Sequence, residues 1–437
     1  MMLRQSYVDL NGDDLSNIKL RFLGGTGQVG RSAVALYRGG RCILFDYGVE
    51  VNHEPKFPIH IPPRDIDGIL ITHAHIDHSG SAPMFYLGGK PPIYGTAMTK
   101  ALTEILLKDL IKLTGYYLPY EQADLKQMLK CWVNVDYNSE FNVAGMKAKF
   151  MEAGHIPGSA QIKVNVDEKH TLVYTGDVNS RESRLLNKAD QDYGELTCVI
   201  TESTYANDDH GDRAEVEKAF VSRVREVVER GGTAVVPAFA VGRSQEILCV
   251  LKAHNFEHDV VVDGMARDVN EIMLQHPEAF RDHKLLQRAF NDAKCINNWH
   301  DRRKIIGKPG VIVAPAGMLR GGTAAFYVEE VSKQERNAIF LVSFQAPGTP
   351  GRTLTEEGKI RIRGKPTKVK AEVERFDFTS HAGKSELEGM LKGIKGNPKV
   401  YTIHGDAENC KRLAEWVRSE LGFEAEAPTA GNTYKLN

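Results

Sequence analysis

The chain has 437 residues, with 56 Lys and Arg against 57 Asp and Glu, so its formal net charge at pH 7 is −1. This length allows two or three domains with a sizeable core, and the near-neutral charge gives no support for a generally basic nucleic-acid binder. The six cysteines are widely scattered, which predicts reduced thiols in a cytoplasm rather than a disulfide scaffold. The sequence shows neither a signal peptide nor a long apolar run, so we expect neither export nor contact with a membrane.

The first distinctive segment is residues 25–30 (GTGQVG), which matches the G-x-G-x-x-G dinucleotide fingerprint. That fingerprint requires a helix after the third glycine. Residues 33–37 instead alternate as a strand, residues 38–40 form a turn, and residues 41–45 are again strand-like. The sequence therefore predicts a hairpin and not a βαβ nucleotide site. The glycines would allow the loop to pass close to a metal site or a substrate phosphate.

A cluster of metal-binding side chains follows a short apolar strand predicted at residues 68–72 (GILIT). The run His-x-His-x-Asp-His crowds four donors into one loop: His73, His75, Asp77 and His78. Neutral imidazole and carboxylate are donors that zinc takes at about 2.0–2.2 Å. One loop cannot wrap all four donors round a single ion, but it can offer two donors to each of two ions. We therefore interpret the run as part of a two-metal site rather than a His-rich polar loop.

Further donors stand where other predicted strands end. Five β-rich runs each end in a carboxylate or an imidazole: Asp46, His155, Asp177, Glu202 and His404. A single Asp or His at a strand end is more often a cap or turn residue. Taken together with the first run, however, these positions predict loops that converge on one edge of a sheet.

Helical and strand-like segments alternate through the middle of the chain. Helices are predicted at residues 96–114, 121–129, 213–230 and 244–253, and strands at 233–237, 260–263, 311–315 and 338–343. Such alternation favours a parallel α/β unit, which lies between Glu202 and His381. We therefore expect a first domain that begins in residues 1–205 and returns in 356–437, with a second domain inserted at 206–355. A linker is expected near residues 347–351 (PGTPG).

This pattern resembles the metallo-β-lactamase superfamily and, within it, the β-CASP ribonucleases, which include RNase J and the cleavage and polyadenylation specificity factor nucleases. The positions that carry the resemblance are Asp46, His73, His75, Asp77, His78, His155, Asp177, Glu202, His381 in residues 378–383 (FTSHAG), and His404 in residues 403–405 (IHG). Residues 315–322 (PAGMLRGG) also look like a β-CASP element. The resemblance covers nearly the whole chain and is to the short archaeal and bacterial members. It implies an α/β fold, namely a metallo-β-lactamase αββα sandwich with an inserted β-CASP α/β domain.

The resemblance also implies roles for the donors. One metal ion would be held by His73, His75 and His155, and the other by Asp77, His78 and His404, with Asp177 bridging both. The ions would be two zinc ions, although manganese can occupy the same donors, and they would activate a hydroxide that hydrolyses an RNA phosphodiester. The implied catalytic set is Asp46, Asp77, Glu202 and His381. In this set Asp46 orients a ligand histidine, and His381, held by Glu202, is the general acid for the leaving 3′-oxygen.

Substrate choice depends on fewer residues. In the superfamily, the last metal-ligand position is implied to be His in RNA-cutting members, so His404 favours single-stranded RNA as the partner. Ser244 and Ser343 could bind a substrate phosphate, and Ser244 could equally be a plain helix N-cap. A closed pocket for a 5′-monophosphate would make the enzyme a 5′→3′ exonuclease, whereas an open cleft would make it an endonuclease. The basic runs at residues 302–304 and 359–370 are candidate RNA contacts, and a homodimer is implied by resemblance only.

Two other functions are alternatives to a ribonuclease. Another two-zinc hydrolase, such as a DNA nuclease, a thioesterase or a lactonase, is less consistent with the inserted unit and with Glu202, His381 and His404. An inactive RNA-binding subunit would have lost metal ligands, and this chain keeps every one.

Overall fold

The structure is a computed structural model that describes residues 17–51, 54–362 and 364–436. The described residues group into two compact units. Unit 1 is drawn from Met1–Arg181, Lys188–Asp209 and His381–Asn437, and unit 2 from Glu182–Asn187 and His210–Ser380. We expected domain boundaries between residues 205 and 206 and between residues 355 and 356, and these boundaries stay a prediction.

The first part of unit 1 is rich in strands. Its strands are β1 (Ile18–Gly24), β2 (Ala33–Arg38), β3 (Arg41–Phe45), β4 (Glu50–Val51), β5 (Pro55–Lys56), β6 (Gly68–Leu70), β7 (Ile93–Gly95), β8 (Trp132–Asn134), β9 (Glu140–Val143), β10 (Met146–Glu152), β11 (Ala160–Asn165), β12 (Thr171–Tyr174) and β13 (Glu195–Glu202). Its α-helices are α1 (Ile76–Ser79), α2 (Ala97–Thr114) and α3 (Gln122–Lys130), with short 3₁₀ turns at Pro63–Asp65, Ala82–Tyr86 and Gly115–Tyr117.

Unit 2 alternates helices and strands, and the chain then returns to unit 1. Unit 2 comprises α4 (Arg213–Glu229), β14 (Thr233–Pro237), α5 (Arg243–Ala253), β15 (Val260–Val262), α6 (Met265–Met273), a 3₁₀ turn (Pro277–Ala279), α7 (His283–Asp292), β16 (Lys294–Cys295), α8 (Trp299–Ile305), β17 (Gly310–Ala314), α9 (Gly322–Val331), β18 (Ala338–Leu341), α10 (Pro350–Glu357), β19 (Lys359–Ile362), β20 (Lys365–Lys368) and β21 (Glu372–Arg375). The return adds α11 (Lys384–Lys392), β22 (Lys395–Ile403), α12 (Ala407–Trp416) with a π turn (Val417–Leu421), β23 (Ala425–Glu426) and β24 (Thr433–Leu436).

Two seven-stranded sheets face each other in unit 1. Their strand orders are β24-β1-β2-β3-β6-β7-β8 and β23-β22-β13-β12-β11-β10-β9. Buried side chains of both sheets meet between them: the rings of Phe22 and Tyr401 lie 5.1 Å apart, and those of Phe45 and Tyr174 lie 5.3 Å apart. Helices α2 and α3 share a second core cluster with the outer face of the first sheet, and α11 and α12 share a third with the second sheet. The expected αββα sandwich is therefore confirmed.

The predicted hairpin after the glycine-rich loop is also confirmed. Strands β2 and β3 pair antiparallel, with Val34 opposite Phe45 and Arg38 opposite Arg41. The chain enters β2 directly after residues 25–30, where the dinucleotide fingerprint would require a helix. The loop is therefore not a Rossmann site.

Helix α2 begins close to its sequence-predicted bound because Thr96 caps it. The Thr96 hydroxyl accepts the backbone N–H of Thr99, which satisfies one of the free donors of the first turn. The same end of α2 also supports the turn after β10. The hydroxyls of Thr96 and Thr99 lie 2.9 and 2.7 Å from the carbonyl oxygen of Gly158. Gly158 has φ +84°, and an added Cβ would lie 2.8 Å from atoms of Met98 and Thr96, so only glycine fits here.

Unit 2 is built on a fully parallel sheet with the order β16-β15-β17-β14-β18-β21. Its central strands are buried and apolar, as parallel strands covered on both faces require. The parallel α/β unit expected from the sequence is confirmed. Its last strand, β21, and the separate hairpin β19–β20 were not predicted. Across residues 17–51, 54–362 and 364–436, each helix is too short or too polar to cross a bilayer.

Candidate active site

Most donors of unit 1 come together because the strands that precede them pair in parallel, and His155 joins them because β10 runs in the same direction as β12 across the antiparallel strand β11. Strand β6 pairs parallel with β3, and β13 lies parallel between β12 and β22. The carboxyl ends of such strands reach the same edge of a sheet, so the donors that follow them converge. The first run departs from the loop we expected, because α1 winds residues 76–79 into one helical turn that carries Asp77 and His78.

One group of donors consists of His73, His75, His155 and Asp177, with one ligand atom of each lying within 4.8 Å of the others. The His155 Nε2 atom lies 3.2 Å from His75 Nδ1. Asp177 Oδ2 lies 3.6 Å from both His73 Nε2 and His155 Nε2. Burial lowers the pKa of His73 well below its usual value and the pKa of His75 to about 4, so both imidazoles are neutral bases at neutral pH.

A second group consists of Asp77, His78 and His404. The Nε2 atoms of His78 and His404 lie 3.2 Å apart, and Asp77 Oδ2 lies 3.3 Å from His404 Nε2. The other oxygen of Asp177 faces this group, with Oδ1 at 3.3 Å from His78 Nε2 and 3.2 Å from His404 Nδ1. Asp177 thus presents one oxygen to each group. Burial works to raise its pKa, but His404 and His78 hold that pKa well below the usual value.

The spacing of these donors fits divalent metal ions. Four ligands at about 2.0–2.1 Å from a tetrahedral zinc ion lie about 3.3 Å from one another. Several separations between donor atoms, at 3.2–3.6 Å, are close to that value, and His78 Nε2 lies 3.9 Å from Asp77 Oδ2. The buried His73 Nε2 atom has no hydrogen-bond partner among the described residues, although it is directed at Asp177. Buried polar atoms are normally satisfied, so this one is consistent with a metal ligand.

Asp46 does not join either donor group but holds His78. The Asp46 Oδ2 atom accepts from His78 Nδ1 at 2.8 Å, which leaves the Nε2 lone pair for a metal ion. Asp46 also accepts the backbone N–H and the hydroxyl of Thr72, each at 2.8 Å, and the hydroxyl of Tyr174 at 3.0 Å. Asp46 itself has a left-handed φ of +56°, a conformation that costs energy in a non-glycine residue. The orienting role expected of Asp46 stays a prediction.

Three hydroxyl-bearing residues near the donors were not predicted from the sequence. Thr72 Oγ1 lies 2.8 Å from Asp46 Oδ2 and 3.0 Å from His73 Nδ1. Tyr174 is buried against Asp46, and Ser159 Oγ accepts the backbone N–H of His155 at 3.1 Å. Each lies within four residues of a donor in the chain, which is the only signal that could have singled them out.

His381 and Glu202 form a hydrogen-bonded pair beside the donor groups. His381 Nδ1 lies 2.9 and 3.0 Å from the two oxygens of Glu202, and its Nε2 lies 3.9 Å from Asp177 Oδ2. Glu202 also accepts the backbone N–H of Val178 at 2.7 Å. Burial works to lower the pKa of His381, but the Glu202 carboxylate, together with Asp177, raises it to about 9. His381 therefore carries a proton at neutral pH, and the Nε2 atom directs it towards the donors. Glu202 also belongs to a third set of possible ligands with Asp177 and His404.

Ser244 and Ser343 lie in unit 2, at the carboxyl edge of its sheet. Helix α5 begins at Arg243 with Gly242 as its N-cap, so the suggestion that Ser244 is an N-cap is wrong. The Ser244 hydroxyl donates to the carbonyl of Phe239 at 2.8 Å. Ser343 follows β18, is buried, and its hydroxyl has no hydrogen-bond partner within the described part of the chain.

The fold and the donor geometry define a metal-dependent hydrolase of the metallo-β-lactamase type. Comparison with protein families agrees: residues 26–225 match the metallo-beta-lactamase superfamily, residues 244–354 the Beta-Casp domain, and residues 366–428 the Zn-dependent metallo-hydrolase RNA specificity domain. A structure titled as a protein of unknown function from Enterococcus faecalis V583 superposes with a TM-score of 0.61 at 13% identity over 96% of this chain and 100% of that one, which shows a shared fold.

Curated relatives cover almost the whole chain. It is 40% identical to the RNase aCSPSF2 of Saccharolobus solfataricus over 97% of this chain and 87% of the relative. It is 35% identical to the Probable RNase MJ4 of Methanocaldococcus jannaschii over 96% of this chain and 100% of that protein. It is 32% identical to the Transcription termination factor FttA of Methanococcus maripaludis over 99% of this chain and 74% of that protein. The chain therefore belongs to the β-CASP ribonuclease family of the metallo-β-lactamase superfamily, whose members are metal-dependent nucleases.

Proposed function

We propose that this metal-dependent ribonuclease cleaves single-stranded RNA at a two-zinc site, with manganese as a possible substitute. One ion would be held by His73, His75 and His155, the other by Asp77, His78 and His404, and Asp177 would bridge them. The observation that carries the proposal is that the two oxygens of Asp177 each face a separate set of donors, 3.2–3.6 Å away. When bound, two such ions supply positive charge for the phosphate oxygens and acidify a water.

The residues outside the donor groups donate a proton to the leaving group and orient the side chains of their neighbours. The oxygen of a water molecule forms a bond to phosphorus while the P–O3′ bond breaks, and His381 Nε2 donates its proton to the leaving 3′-oxygen, so that the products are a 3′-hydroxyl and a 5′-phosphate. Glu202 holds Nδ1 of the same ring, which fixes the ring direction and keeps the imidazole protonated until it is needed. Asp46 acts at one remove by orienting His78.

We further propose that Ser343 contacts a substrate phosphate. Its hydroxyl is buried, lacks a partner among described residues, and stands after β18 at the carboxyl edge of the parallel sheet of unit 2. Ligands of open α/β sheets bind at this edge. An added Cβ on Gly317 would lie 2.6 Å from Ser343 Oγ, so the glycine keeps the approach to this hydroxyl open. Ser244 is the weaker candidate, because its hydroxyl proton is already given to Phe239.

The test is a time course on a 5′-end-labelled single-stranded RNA carrying either a 5′-monophosphate or a 5′-triphosphate. Wild type, His75→Ala and Ser343→Ala run in parallel, with zinc content measured for each protein. We expect two zinc ions per wild-type chain, cleavage by the wild type, and loss of both zinc and cleavage in His75→Ala.

The products decide the mode of cleavage. Release of labelled mononucleotide from the monophosphate form alone, lost in Ser343→Ala, would mean a 5′→3′ exonuclease with a phosphate pocket. Internal fragments regardless of the 5′ group would mean an endonuclease and would remove the role proposed for Ser343. Zinc-loaded protein that cuts neither RNA would contradict the proposed site and direct attention to small esters.

Two further properties belong to this proposal. All six cysteines are free thiols, which supports a cytoplasmic protein. Family resemblance supports a homodimer, and light scattering coupled to size-exclusion chromatography would measure its mass.

A further inference from the structure

One short hairpin of unit 2 is rich in positive charge. Residues 358–370 contain six cationic side chains and no acidic one: Lys359, Arg361, Arg363, Lys365, Lys368 and Lys370. Arg363 lies outside the described residues, and the other five are exposed. Basic runs are usually ordinary solvated surface, so the run by itself carries no function.

The strand register adds an observation that a solvated surface does not explain. Strands β19 and β20 pair antiparallel with Lys359 directly opposite Lys368 and Arg361 opposite Pro366. Residues directly opposite each other share a face, with Cβ atoms about 4.5–5.5 Å apart, and like charges there are destabilising. Lys359, Arg361 and Lys368 therefore form one cationic face, which an anion would stabilise.

The opposite face of the hairpin anchors it to unit 2. Ile360 is 8% exposed and belongs to the apolar core of the unit, together with Val369 just beyond β20. Because side chains alternate along a strand, burial of Ile360 directs Lys359 and Arg361 towards solvent. The cationic face is thus held outward by packing.

Among the described residues, the acidic side chains near the hairpin pair with only one of its cations, Lys359. Glu356 pairs with Arg352 at 2.6 Å, and Glu372 and Glu374 of β21 pair with Arg223. Glu357 accepts from Lys359 at 3.5 Å. Arg361 donates to the carbonyl of Gly364 at 3.5 Å and, as far as the structure describes the chain, neither it nor Lys368 forms an ion pair.

We propose that the cationic face of the β19–β20 hairpin is a docking surface for the sugar–phosphate backbone of single-stranded RNA. It includes none of the residues of the candidate active site, and it rests on the ribonuclease function because it adds a second contact for the same polymer. Phosphate contacts by Lys and Arg position a nucleic acid without reading its sequence. Among the described residues of this face, Pro366 is the exposed apolar side chain, and there is no large aliphatic or aromatic anchor of the kind that protein partners and lipid surfaces require.

The test compares a hairpin variant with a matched control. The hairpin variant is Lys359→Gln, Arg361→Gln and Lys368→Gln, and the control is Lys112→Gln, Lys126→Gln and Lys130→Gln, three exposed lysines on α2 and α3. Both lose three positive charges. Zinc-loaded proteins are titrated by fluorescence polarisation against a labelled 30-nucleotide phosphorothioate RNA from 50 to 400 mM salt, and a denaturing gel verifies that the RNA stays intact.

Loss of three phosphate contacts has a calculable signature. Each contact contributes about 0.7 to the slope of log K against log salt for a single strand, so the slope becomes shallower by about 2, and affinity at 0.1 M salt falls on the order of 100-fold. We expect this only for the hairpin variant. Its KM for a 30-nucleotide RNA rises, whereas kcat and hydrolysis of bis(p-nitrophenyl) phosphate are unchanged.

An unchanged slope, or equal losses in the hairpin and control variants, would overturn the proposal. If the triple variant fails to fold, as judged by circular dichroism, Lys368→Gln alone must still reduce the slope by about 0.7. Failure of the active-site assignment is distinguishable, because wild type would then bind RNA with the full salt slope yet fail to cut it.

Discussion

Replacing Glu202 with glutamine isolates the proton donated by His381. The substitution keeps the shape of the side chain and an oxygen that can accept the Val178 N–H. It removes the negative charge that lies 2.9–3.0 Å from His381 Nδ1. The donor groups themselves are unchanged, so Glu202→Gln should bind metal like the wild type.

The size of the effect follows from the pKa of His381. Burial works to lower this pKa, while Glu202 and Asp177 raise it from 6.5 to about 9. At pH 7.5 a group with a pKa of about 9 is about 97% protonated, whereas one with the ordinary value of about 6.5 is about 9% protonated. If the variant returns to the ordinary value, cleavage at pH 7.5 falls about tenfold from loss of the proton alone. Because the wild-type pKa is raised, the acid form persists up to about pH 9, and the variant loses it above about pH 6.5.

The assay compares two leaving groups. RNA needs a proton on its 3′-oxygen, but p-nitrophenolate leaves without one, so general-acid catalysis helps the first substrate far more. We expect Glu202→Gln to lose about tenfold or more on RNA and less than about twofold on bis(p-nitrophenyl) phosphate. Glu408→Gln, at an exposed acid of α12, serves as the matched control.

Equal losses on the two substrates would refute this reasoning. They would place Glu202 with the metal ligands, as its position near Asp177 and His404 allows. Zinc analysis of the variant separates the two cases, because a lost ligand lowers the metal content and a lost acid does not.

Three other changes test the rest of the site. Tyr174→Phe removes the hydroxyl that lies 3.0 Å from Asp46, and we expect zinc affinity about 10–100-fold weaker, measured by chelator competition, with activity recovered at saturating zinc. Gly48→Ala would put a Cβ 1.7 Å from the carbonyl oxygen of Asp77, so α1 must move; we expect about 1–3 kcal/mol lower stability in denaturant unfolding, and an unchanged midpoint would contradict the packing. Removing metal with a chelator should abolish RNA cleavage and, where the ion had been present at about 100 times its Kd, lower stability by about 2.7 kcal/mol; zinc or manganese should restore both.

Much of the donor set could be predicted because its pattern is contained in short stretches of sequence. Apolar runs such as residues 68–72 predict strands, and an imidazole or carboxylate directly after a strand is visible without tertiary knowledge. The helical turn α1 was missed, since four residues are too few to show a helical period. The hairpin β19–β20 was missed although Ile360 and Ile362 alternate with charges, because its cations read as solvated surface.

The order of the strands within each sheet cannot be predicted from local sequence patterns. Strand β21 is short and half-buried, and it is a strand because it pairs with β18, from Ala338 opposite Glu372 to Leu341 opposite Arg375. Such pairing energy depends on a neighbour more than thirty residues away. For the same reason the sequence predicted the parallel sheet of unit 2 but not its edge strand, β21.

The sequence by itself determined which atoms could bind metal and that they follow strands, because donor chemistry and strand patterning are properties of single residues and their near neighbours. Only the tertiary structure decided that Asp177 turns one oxygen to His73 and the other to His78, and that Tyr174 supports Asp46 from 128 positions away. Those relations are set by the packing of two sheets against one another. The geometry of side chains that meet across that core cannot be read from local sequence, because the residues are far apart in the chain.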